Sequence, residues 1–218
     1  MSPFPHLDSL PAPQRALWPD LAAIPSRCVL YGGTAVALHL GHRTSVDFDF
    51  FSNQPFDPTE FKASLPLLRA GETLQSTANT LTVLVDRNGP VKLSFFGGLT
   101  FGRVAEPLAT PDGVLLAASP LDLLASKLKT LLARAEARDY ADLAALLRAG
   151  QDLAHGLAAC RTLFGADFPV AAAVRGLSYF DDLGENLTHR DQQTLMDAVR
   201  TLPHDLPEVP LASPNLAP

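Results

Sequence analysis

The chain has 218 residues, 47% of them apolar and 18% charged, enough for one substantial packed domain with or without a helical annex, and disorder over the whole length is excluded. Seventeen Lys and Arg stand against 23 Asp and Glu, a formal charge of −6, which argues against non-specific coating of nucleic acid while allowing a local basic patch. No apolar run approaches the ~18–20 residues that cross a bilayer, and the opening MSPFPHLDSLPAPQR lacks the basic and long apolar stretches of a secretory leader, so no membrane association is expected.

Residues 1–26, punctuated by prolines, read as a helical lead-in. From 27 to 118 short apolar runs alternate with turn signals, the pattern of an α/β core. Arg27 to Tyr31 reads as a buried strand stopped by Gly32-Gly33, and Thr34 to Leu40 as a short helix ending at Gly41. Ser45 to Phe51 alternates strictly. Val46, Phe48 and Phe50 take one face, and Ser45, Asp47, Asp49 and Phe51 the other. Asp57-Pro58-Thr59-Glu60 is a capping box that opens a helix toward Leu68. Leu81–Val85 and Val91–Phe96 flank the turn signal Arg87-Asn88-Gly89-Pro90, a hairpin. From 119 to 202 the period becomes helical. Leu121, Leu124, Leu128, Leu131 and Leu132 mark an amphipathic helix capped by Ser119–Asp122, a second covers Asp139 to Arg148, and others are expected near 151–164, 169–180 and 188–202. Residues 203–218 are Pro-rich and without period, a tail lying on the surface or disordered. Cys28 and Cys160 sit inside apolar segments and read as buried free thiols in a reducing cytoplasm. The fold class is α+β: a mixed sheet with helices, followed by a helical C-terminal half.

The sharpest chemical feature is Tyr31-Gly32-Gly33-Thr34 followed, after a helix, by Ser45-Val46-Asp47-Phe48-Asp49. Two carboxylates at i and i+2 on a strand point from one face and can share a divalent cation; Mg²⁺ accepts one or two protein carboxylates together with substrate phosphates. The glycines let backbone N–H groups approach a phosphate, and the helix that follows favours an anion at its start. A phosphate cradle beside a carboxylate clamp is the minimum kit for nucleotidyl transfer, in which a second metal can activate the attacking hydroxyl. Taken singly, Gly-Gly is a turn and Asp-x-Asp a solvated face. Their combination is far more specific, because carboxylates among Phe48, Phe50 and Phe51 cost several kcal/mol unless paired, hydrated or metal-bound.

The stretch LYGGTAVALHLGHRTSVDFDFFS (Leu30–Ser52) resembles the opening motif of the DNA polymerase β-like nucleotidyltransferase superfamily. More narrowly it is similar to the AbiEii/AbiGii toxin family, which reads GG-T-A-L and then H-R-x-S-x-D-x-D-F-F. KLKTLLARAEARDYADL (Lys127–Leu143) is similar to that family's lysine-bearing helix and its (R/K)-D-x-x-D-L segment. The resemblance implies a polymerase β-like fold and an Mg²⁺-dependent enzyme that moves a nucleoside monophosphate from an NTP to an acceptor hydroxyl. The implied acceptor is the 3′ end of a tRNA, with a cognate antitoxin as protein partner. By the same resemblance Asp47 and Asp49 bind Mg²⁺, and Gly32, Gly33, Thr34, Arg43 and Ser45 surround the nucleotide phosphates. Lys127 contacts nucleotide phosphate, and Asp139 supports that lysine or the acceptor. Plainer roles stand beside these: a surface position for Lys127, a helix cap for Asp139 and a capping-box acid for Asp122.

One departure matters. Superfamily members usually carry a third carboxylate on a later strand, and the matching place in VKLSFF holds Ser94. Asp86, the nearby acid, reads as a turn residue. His39 and His42 read as a helix residue and a loop polar group, while Arg134 and Arg138 either extend a basic strip or form a solvated face. Two other functions stay open: a small-molecule nucleotidyltransferase of antibiotic-modifying type, and a catalytically weak nucleotide-binding or interaction module.

Overall fold

The computed structural model describes residues 6–180 and 187–218, so the first five residues of the lead-in lie outside the described residues. The chain divides into two compact units: one holds the residues up to Gly102, Glu106–Ser119 and Ser213–Pro218, the other Arg103–Ala105 and Pro120–Ala212.

The first unit is built on a seven-stranded mixed sheet. Its strands in chain order are β1 (Val29–Tyr31), β2 (Asp47–Phe51), β3 (Glu72–Thr77), β4 (Thr80–Asp86), β5 (Pro90–Phe96), β6 (Leu108–Ala109) and β7 (Leu116–Ala117), in the spatial order β3-β4-β5-β2-β1-β7-β6. β2 runs antiparallel to β1 and parallel to β5, and β4 and β5 form the expected hairpin. Its turn places Asn88 and Gly89 at positive φ, with Asp86 accepting the Gly89 N–H, so Asp86 is the turn residue its position suggests.

Period-2 alternation sets the core. Phe48 and Phe50 are fully buried; Phe50 stacks on Phe95 of β5 at 5.2 Å, and Phe61 meets Phe95 edge-on at 5.0 Å. Phe61 lies on α3 (Pro58–Ser64), capped by Asp57, whose carboxylate accepts the N–H groups of Thr59 and Glu60. The helix expected to run to Leu68 breaks at Leu65, because Pro66 holds the residue before it extended and a short α4 (Pro66–Arg69) starts afresh. The lead-in contributes α1 (Ala12–Leu17) and a 3₁₀ turn (Trp18–Ala23), and Trp18 packs against Phe48. It belongs to the first unit. α2 (Gly32–Leu40) begins two residues earlier than its apolar pattern and ends at Gly41, which takes the left-handed conformation.

The second unit is helical: α5 (Pro120–Leu131), α6 (Ala137–Arg148), α7 (Leu153–Phe164), α8 (Val170–Gly176) and α9 (His189–Arg200). Gly156 lets α7 approach α5 closely, since a Cβ there would lie 2.5 Å from Leu124 Cδ2. Arg148 on α6 pairs with Asp191 on α9 at 2.7 Å. Asp122 is buried and accepts the N–H groups of Val104 and Ala105, which fastens that loop to α5.

The Pro-rich end is not a free tail. The carbonyl of Val209 accepts the Thr162 hydroxyl at 2.6 Å, and Ala212 N–H donates to Arg103 O. Leu216 is buried in the first unit, with its N–H on Asn53 Oδ1. The composition of 203–218 hid this because these bonds run through main-chain groups, which leave no pattern in residue type. Burial pushes the thiol of Cys28 up to about 11 against the opposing pull of Arg27, and that of Cys160 up to about 12 against Lys129. Both thiols therefore stay protonated at pH 8. An aromatic disulfide reagent at that pH should titrate neither in the native protein and both after denaturation in guanidinium. Rapid native labelling of either would contradict the burial.

Candidate active site

Seven of the sequence-derived candidates meet at one end of β1 and β2. β1 ends at Tyr31, which lies opposite Asp49 in the antiparallel register. Gly32 follows at φ 71°, and a Cβ there would stand 2.7 Å from Asp49 Oδ2, so the carboxylate lies against the bare glycine. A Cβ on Gly33 would overlap Arg43 Nη2 and come within 3.2 Å of Ser45 Oγ. The next residue, Thr34, hydrogen-bonds the Ser45 hydroxyl at 2.9 Å and donates to the main-chain oxygen of Asp47. The first turn of α2 and the segment entering β2 are thereby tied together, with Arg43 laid over the glycine backbone.

The parallel β2–β5 register completes the site. Lys92 stands beside Asp47 and Ser94 beside Asp49. Lys92 Nζ lies 2.8 Å from Asp47 Oδ2, both side chains being partly exposed. Ser94 is buried and stands next to Asp49, at the place in VKLSFF where the sequence puts it in a third acid's stead. Two neighbours carry no local sequence signal. Lys92 requires knowledge of the strand pairing, and Gln14 of α1, almost wholly buried, donates to the carbonyl of Val46 at 2.6 Å just ahead of Asp47. His39 Nε2 lies 3.0 Å from the Ala118 carbonyl, which accounts for that ring as a structural group.

Lys127 and Asp139 lie in the second unit and are brought together there. Lys127 is no surface lysine: its side chain is 7% exposed and its ammonium sits 2.8 Å from Asp139 Oδ1 and 2.6 Å from Asp142 Oδ2. Nor is Asp139 the cap of α6, since the cap position is Glu136 and Asp139 falls in the first turn. Its second oxygen receives Arg134 Nε at 3.1 Å. Arg138 pairs with Glu136 at 2.6 Å, so the basic strip is largely neutralised by its own helix start. Asp142 is the member of this cluster without a role in the sequence reading; its spacing of three from Asp139 on one helix face was the available signal.

A family model described as nucleotidyl transferase AbiEii toxin, type IV toxin–antitoxin system, matches residues 16–210. The chain belongs to the AbiEii family. An uncharacterised protein of Aquifex aeolicus (strain VF5) is 30% identical over 162 residues, 72% of this chain and 76% of its own. The crystal structure of a candidate nucleotidyltransferase from H. pylori shares the fold, with a TM-score of 0.55 at 19% identity over 86% of this chain and 90% of that one. This AbiEii chain is accordingly a nucleotidyltransferase of toxin–antitoxin type with an α+β fold. All the candidates gathered at Gly32–Asp49, and the Lys127 cluster, fall inside the matched residues; Gln14 falls outside.

Among the described residues no group of three or more His, Cys, Asp or Glu is placed to hold a metal. The donor set suited to a divalent cation is the Asp47–Asp49 pair, hard oxygen ligands that Mg²⁺ supplements with nucleotide phosphates and water, and on that chemistry the pair fits Mg²⁺.

Two stability measurements check this geometry. Gly32→Ala places a Cβ in the left-handed region and against Asp49, and should cost about 1–2 kcal/mol in urea denaturation. Lys127→Ala removes the ammonium that two buried carboxylates share, leaves Asp139 to Arg134, and should cost about 3–5 kcal/mol. A loss below about 1 kcal/mol, the range of exposed pairs, would contradict the buried cluster.

Proposed function

We propose that this AbiEii chain is an Mg²⁺-dependent enzyme that transfers a nucleoside monophosphate from an NTP to the 3′-terminal hydroxyl of a tRNA, in the cytoplasm and alongside a cognate antitoxin. The observation that carries the reading is the pair of carboxylates on one strand face, of which Asp49 lies directly against Gly32, where α2 begins. In this reading the acceptor oxygen attacks the α-phosphorus, the bond from that phosphorus to the bridging oxygen breaks, pyrophosphate leaves, and the hydroxyl proton passes to water. Asp47 and Asp49 would hold the cation. Bound there, Mg²⁺ would neutralise triphosphate charge and polarise the reacting phosphate.

The remaining groups bind and orient. Backbone N–H groups at Gly32 and Gly33 face the phosphates with the favourable end of the helix dipole. Arg43, laid over Gly33, adds a planar donor set suited to phosphate oxygens. The hydroxyls of Thr34 and Ser45, already bonded to one another, hold that loop in shape. Lys127 enters as a phosphate contact held by Asp139, with Asp142 sharing the hold.

A second reading, a small-molecule acceptor, is favoured by the neutralisation of Arg134 and Arg138 by Glu136 and Asp139. The discriminating experiment uses each α-labelled NTP with Mg²⁺, offering total tRNA or an aminoglycoside. Label should move to RNA, should vanish with EDTA, and should fall by roughly two orders of magnitude or more in Asp47→Asn and Asp49→Asn. Label on the aminoglycoside would establish the second reading, and nucleotide binding without any transfer would contradict both.

A further inference from the structure

The cation site just described holds a lysine as well as two acids. Lys92 Nζ lies 2.8 Å from Asp47 Oδ2, and the pairing is built into the sheet, since the parallel register sets Lys92 beside Asp47 as it sets Ser94 beside Asp49. The fixed charges here are the two carboxylates, the Lys92 ammonium and, over Gly33, the Arg43 guanidinium, with a neutral hydroxyl where another negative charge would stand. Two divalent ions about 4 Å apart, the arrangement of two-metal phosphoryl transfer, bring four positive charges that carboxylates and phosphates must share. Here one carboxylate is already compensated, and Ser94 offers a second ion no charge. The ammonium is no accident of a long surface chain: it extends along the strand face from the position next to its partner, with Lys92 39% and Asp47 26% exposed, so it is not fully hydrated and screened.

We infer that Lys92 is a resident cation of this site. Its ammonium takes, on Asp47, the place that a second divalent ion would fill, with one positive charge instead of two, so that the protein–nucleotide complex holds one divalent cation rather than two. Lys92 acts through Asp47 and is a positioning residue. It leaves Asp49 as the carboxylate not already engaged by Lys92, and it lowers the repulsion between the two carboxylates before the nucleotide arrives. The inference rests on the nucleotidyl-transfer reading for its consequence in turnover, but its count of metal ions does not.

The test counts ions directly. Mn²⁺ is titrated into the intact protein, alone and with each of the four α,β-imido NTPs, and free Mn²⁺ is read by electron paramagnetic resonance. The natural sequence should bind one Mn²⁺ in each case. Lys92→Met, and Lys92→Gln as a polar alternative should the first fold poorly, should bind Mn²⁺ about tenfold or more tightly without nucleotide, because a unit charge beside the ligand has gone. Lys92→Arg should keep the natural affinity. The double variant Lys92→Met with Ser94→Asp should bind two ions in the presence of the nucleotide analogue. Two ions on the natural sequence, or unchanged affinity in both Lys92→Met and Lys92→Gln, would overturn the inference. Absence of any transfer by the natural protein would contradict the reaction while these counts still decide the role of Lys92.

Discussion

The antiparallel register that sets Tyr31 opposite Asp49 is the constraint on which the site depends. It brings the bare backbone of Gly32 against a carboxylate, and Gly32 opens α2 only because it can take a positive φ. The register is held by apolar burial on the opposite face, where Phe48 and Phe50 are enclosed by Phe95, Phe61 and Trp18. Burying an aromatic side chain is worth about 1.5–3 kcal/mol. A slip of one residue would expose both rings and drive both carboxylates into the core, at a further cost of several kcal/mol per charge. Stability and chemistry thus select the same alignment.

That coupling explains why so much of the site was legible in the amino-acid sequence. Asp47, Asp49, Phe48 and Phe50 declare their faces by alternation alone, and Gly32-Gly33 marks the strand end. The hairpin at Arg87–Pro90 was equally plain, because Asn88 and Gly89 carry the positive φ values it needs. β3 was invisible for a physical reason: all six of its residues are exposed, so Glu72–Thr77 has no buried face to leave a period. Lys92, Gln14 and Asp142 were missed differently. Each has its partner on another element, Asp47 for Lys92, Val46 for Gln14 and Lys127 for Asp142, and although Asp142 shares a helix face with Asp139, the pairing itself is not encoded in local period. The break at Leu65–Pro66 is encoded, since proline restricts the residue before it, but the helical pattern on either side masks it.

The second unit presents a different balance. Lys127, Asp139 and Asp142 are enclosed, and a buried lysine between two carboxylates is held by strong attraction set against a large desolvation penalty. Two of its three ammonium donors are engaged by those acids. Any loss of activity on removing Lys127 therefore mixes a chemical role with the disturbance of an ion cluster that helps to hold α5 and α6 together. The Gly32–Asp49 region suffers less from that ambiguity, because its carboxylates are partly exposed on the face opposite Phe48 and Phe50.

The most direct measurement is diffraction at the manganese absorption edge from crystals soaked in Mn²⁺ and a non-hydrolysable NTP. An anomalous peak bonded to carboxylate oxygens of both Asp47 and Asp49 is expected, with nucleotide phosphates reaching the amides of Gly32 and Gly33. A nucleotide bound with its phosphates elsewhere, or manganese on other residues with none at the Asp47–Asp49 pair, would contradict it.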